Sequence, residues 1–134
     1  MPHTGQYEEP IGDGGKLCVR KDHWEIHYYF LGPDMRYKGT FLTIDGSRVQ
    51  GLIDAYRAAF ERYEQLKQSV PAGGSLTVLA DMNLTIRVRG FNEGVCISNS
   101  HLPVSSSAQL EQRVQNYRRA IERASVVQKM LAAL

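Results

Sequence analysis

The sequence predicts an α+β protein in which two βββα repeats form an antiparallel sheet with both helices packed on one face. The first observation behind this prediction is a motif, Tyr-Arg-x-Ala-x-Glu-Arg, that occupies residues 56–62 and returns at residues 117–123. The second is that both copies lie in helix-period segments, each preceded by strand-like residues. We therefore expect a single domain over residues 15–134, with repeat halves at 15–70 and 75–134.

The N-terminal segment, residues 1–14, shows no periodicity and is expected to be a flexible tail. The glycine-rich stretch at residues 12–16 lacks the spacing of a phosphate-binding loop, so we expect a turn there. Strands are then expected at residues 17–20, 24–31 and 35–43. Because side chains alternate along a strand, His27 and Tyr29 should lie on the sheet face away from the helices.

The first helix is expected from Ser47 onward, because apolar residues then recur at spacings of three and four. Ser47 and Gln50 form a capping-box pattern, and Pro71 should help to end the segment. The expected core stripe consists of Val49, Leu52, Ile53, Tyr56, Phe60, Tyr63 and Leu66.

The second half repeats this plan. Residues 76–88 repeat the apolar pattern of the first strands, and residues 95–100 should form the sixth strand. Ser106 and Gln109 make a capping box before the second helix. The core stripe of that helix is expected to be Leu110, Val114, Tyr117, Ile121, Ala124, Val127, Leu131 and Leu134, and its outer face is expected to carry Arg113, Arg118, Arg119 and Arg123.

Composition limits the classes of protein. The 134 residues, 43% hydrophobic and 22% charged, are typical of a globular chain with one core. The formal net charge of +2 does not require nucleic acid as a partner. No apolar run approaches the roughly twenty residues that cross a bilayer, and the N-terminus shows no secretory signal. Cys18 and Cys96 are expected to stay reduced, which favours a cytoplasmic location.

Catalytic and metal sites are not expected. Cys96 and His101 lie five residues apart, on the order of 16 Å along a strand, so they cannot form a reactive pair unless the chain folds back. His23, His27 and His101 lack the spacing of a metal site. The sequence therefore predicts no enzyme, no cofactor and no metal. A thiol-dependent enzyme is the last of three hypotheses for the function.

The leading prediction is a non-catalytic binding protein, a small inhibitor, immunity-type or anti-defence factor that blocks a macromolecular partner, most simply a protein. Its docking surface should be the sheet face away from the helices, where Arg, Lys and Tyr side chains can hold an acidic group. Two such faces could also pack together in a homodimer. The expected partner-binding residues are His27, Tyr29, Arg36, Lys38, Arg87 and Arg89.

An alternative is binding of an anionic, nucleotide-like small molecule by the C-terminal helix, because guanidinium groups grip phosphate with paired hydrogen bonds. The expected ligand-binding residues are Arg113, Arg118, Arg119 and Arg123. Nucleic acid is not an expected partner, since only Tyr29 and Phe91 could stack on bases at mid-sheet. A membrane is not expected either.

Overall fold

A computed structural model describes residues 5–31, 37–61, 73–80, 85–91, 94–99, 102–104 and 106–134. These residues form eight strands and two helices. The strands are β1 (Tyr7–Gly12), β2 (Gly15–Val19), β3 (Trp24–Leu31), β4 (Tyr37–Asp45), β5 (Ser75–Ala80), β6 (Thr85–Phe91), β7 (Gly94–Asn99) and β8 (Leu102–Val104). The helices are α1 (Gly46–Glu61), between β4 and β5, and α2 (Ser107–Ala132), after β8.

The strands form two antiparallel sheets of four, in the order β1-β2-β3-β4 (sheet 1) and β5-β6-β7-β8 (sheet 2). The α+β class is confirmed, but the expected single sheet of βββα units is wrong. Each half contributes four strands before its helix. Every strand pairs with its neighbour in sequence, so each sheet forms within one half of the chain. That the two halves arose by duplication stays a prediction.

The chain divides into two compact units, one formed by Met1–Gln50 with Gln115–Leu134 and the other by Gly51–Val114. The first unit contains sheet 1 and the C-terminal part of α2. The second contains most of α1, sheet 2 and the start of α2. These units do not coincide with the repeat halves 15–70 and 75–134. A sheet must bury its apolar face, and in the first unit the helix that covers it comes from the far end of the sequence.

Strand β1 corrects the expectation that residues 1–14 are a flexible tail. It pairs with β2 from Tyr7 opposite Val19 to Gly12 opposite Gly15, and Ile11 is buried in the core. The strand was missed because its inward side includes Glu9, whose carboxylate meets the guanidinium of Arg123 far along the chain. Local periodicity cannot reveal such a pairing. Residues 1–4 lie outside the described residues.

The turn expected at residues 12–16 is confirmed as the connection between β1 and β2. Three successive residues there have positive φ angles, which glycine adopts without steric cost. They are Gly12 at 92°, Asp13 at 61° and Gly14 at 82°.

The core of the first unit lies on one face of sheet 1 and is covered by α2. The Tyr28 hydroxyl donates a hydrogen bond to the Tyr117 hydroxyl at 3.0 Å, which joins β3 to α2. Both tyrosine side chains are fully buried or nearly so. The inward-facing side chains of the sheet are Leu17, Val19, Ile26, Tyr28, Leu42 and Ile44. Their alternation follows the predicted period of two, so the inward assignment of Ile26 and Tyr28 is confirmed.

The start of α1 is set by Asp45 rather than Ser47. The Asp45 carboxylate accepts hydrogen bonds from the Ser47 backbone N–H at 2.9 Å and from its hydroxyl at 2.8 Å. These hydrogen bonds, above all the one from the Ser47 backbone N–H, lower the pKa of Asp45. The stripe of α1 is confirmed where it is described, since Val49, Leu52, Ile53 and Tyr56 are buried and Phe60 is half-buried. Tyr63 and Leu66 lie outside the described residues.

The cap of α2 is confirmed, because the Ser106 hydroxyl accepts a hydrogen bond from the Gln109 backbone N–H at 3.2 Å. Its buried residues match most of the predicted stripe: Leu110, Val114, Tyr117, Ala124, Val127 and Leu131. The assignment of Leu134 to the core stripe is wrong, since 74% of its surface is exposed. In the second unit the two helices meet through an ion pair between Arg57 and Glu111 at 3.2 Å. The expectation that both helices share one sheet face stays a prediction.

Candidate functional site

The face of sheet 1 opposite its core, here called the outer face, carries a connected set of polar side chains. The register places Lys16, His27 and Thr43 side by side across three strands. Cross-strand neighbours share a face, so the alternation of β2, β3 and β4 defines the rest of the set. The outer face consists of Glu8, Lys16, Cys18, Glu25, His27, Tyr29, Thr40, Thr43 and Asp45.

Glu25 is the centre of this face. Its carboxylate lies 2.7 Å from His27 Nε2 and 3.2 Å from His23 Nε2, and His23 Nδ1 lies 3.8 Å from Asp45. Partial burial raises the pKa of Glu25, but the hydrogen bonds from His27 and His23 outweigh that effect, so its pKa is lower than usual. One carboxylate therefore orients two imidazole rings, His27 at Oε1 and His23 at Oε2.

Tyr29 extends the network along the same strand. Its hydroxyl lies 3.3 Å from His27 Nδ1, so a neutral His27 that donates from Nε2 to Glu25 can accept from Tyr29. The Lys16 ammonium lies 5.9 Å from the Tyr29 ring centroid and 3.6 Å from Glu8. Spacing of two residues on a strand thus aligns a carboxylate, an imidazole and a phenol on one face.

Cys18 lies within this network and is buried, although it belongs to the outer face. Burial raises the pKa of its thiol, and the negative charges of Glu8 and Glu25 act in the same direction. Lys16 and a hydrogen bond from Tyr29 oppose the shift without cancelling it. The thiol is therefore neutral near pH 7 and a poor nucleophile. Cys96 is on β7, and its side chain lies outside the described part of the chain.

His23 and His27 both contact the Glu25 carboxylate, and His23 also lies close to Asp45. Among the residues that the structure describes, His, Cys, Asp and Glu side chains form no group of three that could hold a metal ion. His101 lies outside those residues. In the described residues the network therefore consists of hydrogen bonds and ion pairs along the outer face.

The expected partner-binding residues do not share one sheet. His27 and Tyr29 lie on sheet 1, whereas Arg87 and Arg89 lie on β6 of sheet 2. The register pairs Arg87 with Ser98 and Arg89 with Cys96. The prediction that one sheet carries all of these residues is wrong, because strand pairing between the halves was assumed, and pairing is decided beyond the local sequence. Lys38 is on β4, with its side chain outside the described set, and Arg36 lies outside the described residues altogether.

Two of the four arginines expected to hold an anion already bond to side chains on other elements of the protein. Arg113 is only 5% exposed, donates to the Tyr56 hydroxyl at 3.2 Å and lies 5.7 Å from the centroid of that ring. Its assignment to the outer face of α2 was wrong. The sequence held a signal for this, because Arg113 lies three residues after Leu110 and four before Tyr117, on the core stripe.

Arg123 is the second of these arginines. Its guanidinium donates to Glu9 at 2.8 Å and to the Tyr7 hydroxyl at 3.2 Å, and the bond with Glu9 is the main reason that its pKa is raised. Arg119 is exposed and donates to the Asn116 side chain at 3.0 Å. Arg118 is also exposed. The described geometry leaves Arg118 and Arg119 as the accessible part of the expected patch.

Several outer-face residues were missed from sequence, although a signal existed for two of them. Lys16 and Cys18 alternate with Leu17 and Val19, so the period of two already placed them opposite the core. Glu8 could not be found in this way, because its strand was not recognised.

Comparison with known proteins finds no matching family model, no matching curated protein and no matching solved structure. A search of the described helices finds none with the length and apolar character needed to cross a membrane.

Proposed function

We propose that this chain is a non-catalytic binding protein that docks a macromolecular partner, most simply a protein, on the outer face of sheet 1. It would act as a small inhibitor, immunity-type or anti-defence factor by covering a surface that the partner needs. The observation that carries the proposal is the hydrogen-bonded series from His23 through Glu25 and His27 to Tyr29, with the Asp45 carboxylate 3.8 Å from His23. It extends over β3 and β4 in a region where the side chains are only partly exposed.

Such a network favours binding because it lowers the entropic cost of association. Side chains that are already held by hydrogen bonds lose little freedom when a partner arrives, and each mobile side chain that becomes fixed costs about 0.5–1.5 kcal/mol. Tyr29 offers a large ring with a polar end, which is the chemistry that dominates protein interfaces. A sheet also presents these groups from a rigid element rather than from a loop.

The other candidate functions receive less support from the described residues. An anionic small molecule would have to displace Arg113 from Tyr56 and Arg123 from Glu9, or rely on Arg118 and Arg119 alone. A thiol-dependent enzyme would need a thiolate, and the environment of Cys18 raises the pKa of its thiol. Binding through the outer face requires no such rearrangement.

The proposal is tested with a substitution that blocks the face without breaking its network. Thr43 is exposed beside His27, so Thr43→Arg adds bulk and charge on the outer face next to the network. Affinity capture from the native cell, with mass spectrometry, first identifies the partner. We then expect Thr43→Arg to weaken binding at least tenfold, since a misplaced charge in a docked interface costs several kcal/mol.

Two comparisons make this experiment decisive. Ala58→Arg places the same side chain at an exposed position of α1 and should bind like the wild type. The pair Arg87→Glu and Arg89→Glu tests sheet 2, where the same strength of binding as wild type is expected. If Thr43→Arg binds normally while the sheet 2 pair does not, the docking surface is sheet 2 and the proposal for sheet 1 is wrong.

A further inference from the structure

A carboxylate, an imidazole and a phenol bond to one another along β3, in the arrangement that activates a nucleophile. His27 Nε2 lies 2.7 Å from the Glu25 carboxylate, and His27 Nδ1 lies 3.3 Å from the Tyr29 hydroxyl. An ionised carboxylate only accepts hydrogen bonds, so Nε2 carries the proton of a neutral His27 and Nδ1 keeps a lone pair toward Tyr29. A base that bonds to a hydroxyl and is itself oriented by a third group is the signature of an activated nucleophile, and such contacts are often long before a reactant binds.

Exposure and hydrogen bonding distinguish Tyr29 from the other tyrosines in the described part of the chain. Tyr29 is half-buried, so its side chain is partly accessible to a small reagent. Tyr7 is also half-buried, but its hydroxyl accepts a hydrogen bond from Arg123, and a guanidinium cannot take up a proton. The remaining tyrosines with described side chains, at most 2% exposed, are Tyr28, Tyr56 and Tyr117. Tyr7 is therefore a reference for Tyr29 within the same molecule.

The charges around Tyr29 indicate which electrophile it can meet. The charged residues described on the outer face are Glu8, Glu25 and Asp45, which are negative, and Lys16, which is positive. This balance repels phosphoryl donors and other anions, and it admits neutral molecules. We propose that Tyr29 is a reactive nucleophile that accepts an acyl group from a neutral, activated acyl donor, with His27 as its base and Glu25 as the residue that positions His27.

The reaction conserves its atoms and charge within these three side chains and the donor. The Tyr29 oxygen attacks the carbonyl carbon of the donor while the phenol proton moves to His27 Nδ1. The Lys16 ammonium, 5.9 Å from the Tyr29 ring centroid, favours the negative charge that develops in this step. The bond from the carbonyl carbon to the leaving group then breaks, and the leaving group departs with its electron pair and the proton from His27. The product is an ester of Tyr29. No partner protein takes part, so this reactivity is independent of the docking proposed above.

The test treats the full chain at neutral pH with N-acetylimidazole, a neutral acetyl donor, and follows each modified residue by peptide mass spectrometry. We expect Tyr29 to be acetylated at least about tenfold faster than Tyr7, because a positioned base accelerates proton transfer by up to several powers of ten. Hydroxylamine removes an acetyl group from tyrosine but not from lysine, which separates Tyr29 from its neighbour Lys16. In urea the two tyrosines should react alike. Equal rates in the folded protein, or acetylation of Lys16 or Cys18 in place of Tyr29, would overturn the proposal.

Substitutions then assign the roles of the base and of the residue that positions it. His27→Gln removes the base and should make the rates of Tyr29 and Tyr7 alike. Glu25→Gln should slow Tyr29 several-fold, because an amide can donate to Nε2 and so shift the imidazole proton to Nδ1. Glu25→Asp again only accepts, and it should recover part of the rate, which a merely structural role would not predict.

Glu122→Gln is the matched control, since it makes the same change at an exposed position of α2 and should leave the preference for Tyr29 unchanged. The rate at Tyr7 and a melting curve show whether each variant is folded. If His27→Gln fails to fold, the Glu25 pair supplies the comparison. A preference for Tyr29 that survives His27→Gln, or equal rates in Glu25→Gln and wild type, would show that this base does not activate the phenol.

Discussion

Gly46 offers the sharpest stability prediction, because the ring of Trp24 occupies the space that a side chain would need. A Cβ atom at Gly46 would lie 2.5 Å from Nε1 and 2.6 Å from Cδ2 of Trp24, and still closer to Cε2. Real carbon atoms do not approach to such distances, so the rigid indole ring or the start of α1 must move. Overpacking of this kind costs about 1–3 kcal/mol, and we expect Gly46→Ala to lose about 1–2 kcal/mol after its small gain in helix propensity.

Gly51 supplies a matched control in the same helix. It is exposed, and an added Cβ would meet nothing within 4 Å. Gly51→Ala should therefore raise stability by about 0.5–1 kcal/mol through backbone entropy alone. Urea unfolding followed by circular dichroism measures both variants. In a background of Trp24→Ala the cost of Gly46→Ala should disappear. Equal effects of the two alanines, or a cost at Gly46 that survives removal of the ring, would refute the reasoning.

Four further predictions concern the network and the core. The lowered pKa of Glu25 means that its stabilising effect is present above the ordinary carboxyl range and is lost as pH falls through the lowered value, so Glu25→Gln should flatten the loss of stability under acid conditions. The raised pKa of the Cys18 thiol has the opposite consequence for the pH dependence of stability. The stability that comes from a neutral thiol is fully present below the ordinary thiol pKa of 9.0 and declines as pH rises from there toward the higher pKa of the folded protein. Cys18→Ala should remove that decline. Cys18 should also react slowly with a thiol reagent at neutral pH until the protein is denatured, and fast labelling would show that the thiol is not protected. Tyr56→Ala and Tyr117→Ala should each cost on the order of 3 kcal/mol or more, as for buried aromatics, and a cost below about 1 kcal/mol in thermal melts would contradict their burial.

The part of the structure that the sequence predicted best depends on local periodicity. The stripe containing Tyr117 in α2 and the alternation that places Tyr28 inward and Tyr29 outward follow from the 3.6-residue and two-residue periods of helix and strand. The glycines between β1 and β2 identified a turn for a similar reason, since positive φ is a property of single residues. Such features need no knowledge of distant neighbours, so the sequence alone determined them.

What only the tertiary structure decided depends on partners far apart in the chain. Residues 7–12 resemble a polar tail until β2 pairs with them and Arg123 meets Glu9. The division of the eight described strands into two sheets, which puts His27 and Arg87 in different sheets, depends on which strands bond to one another rather than on any single strand. Arg113 is buried because Tyr56 provides both a hydroxyl and a ring for its charge. Pairing energies between distant residues decide these features, and a local pattern does not contain them.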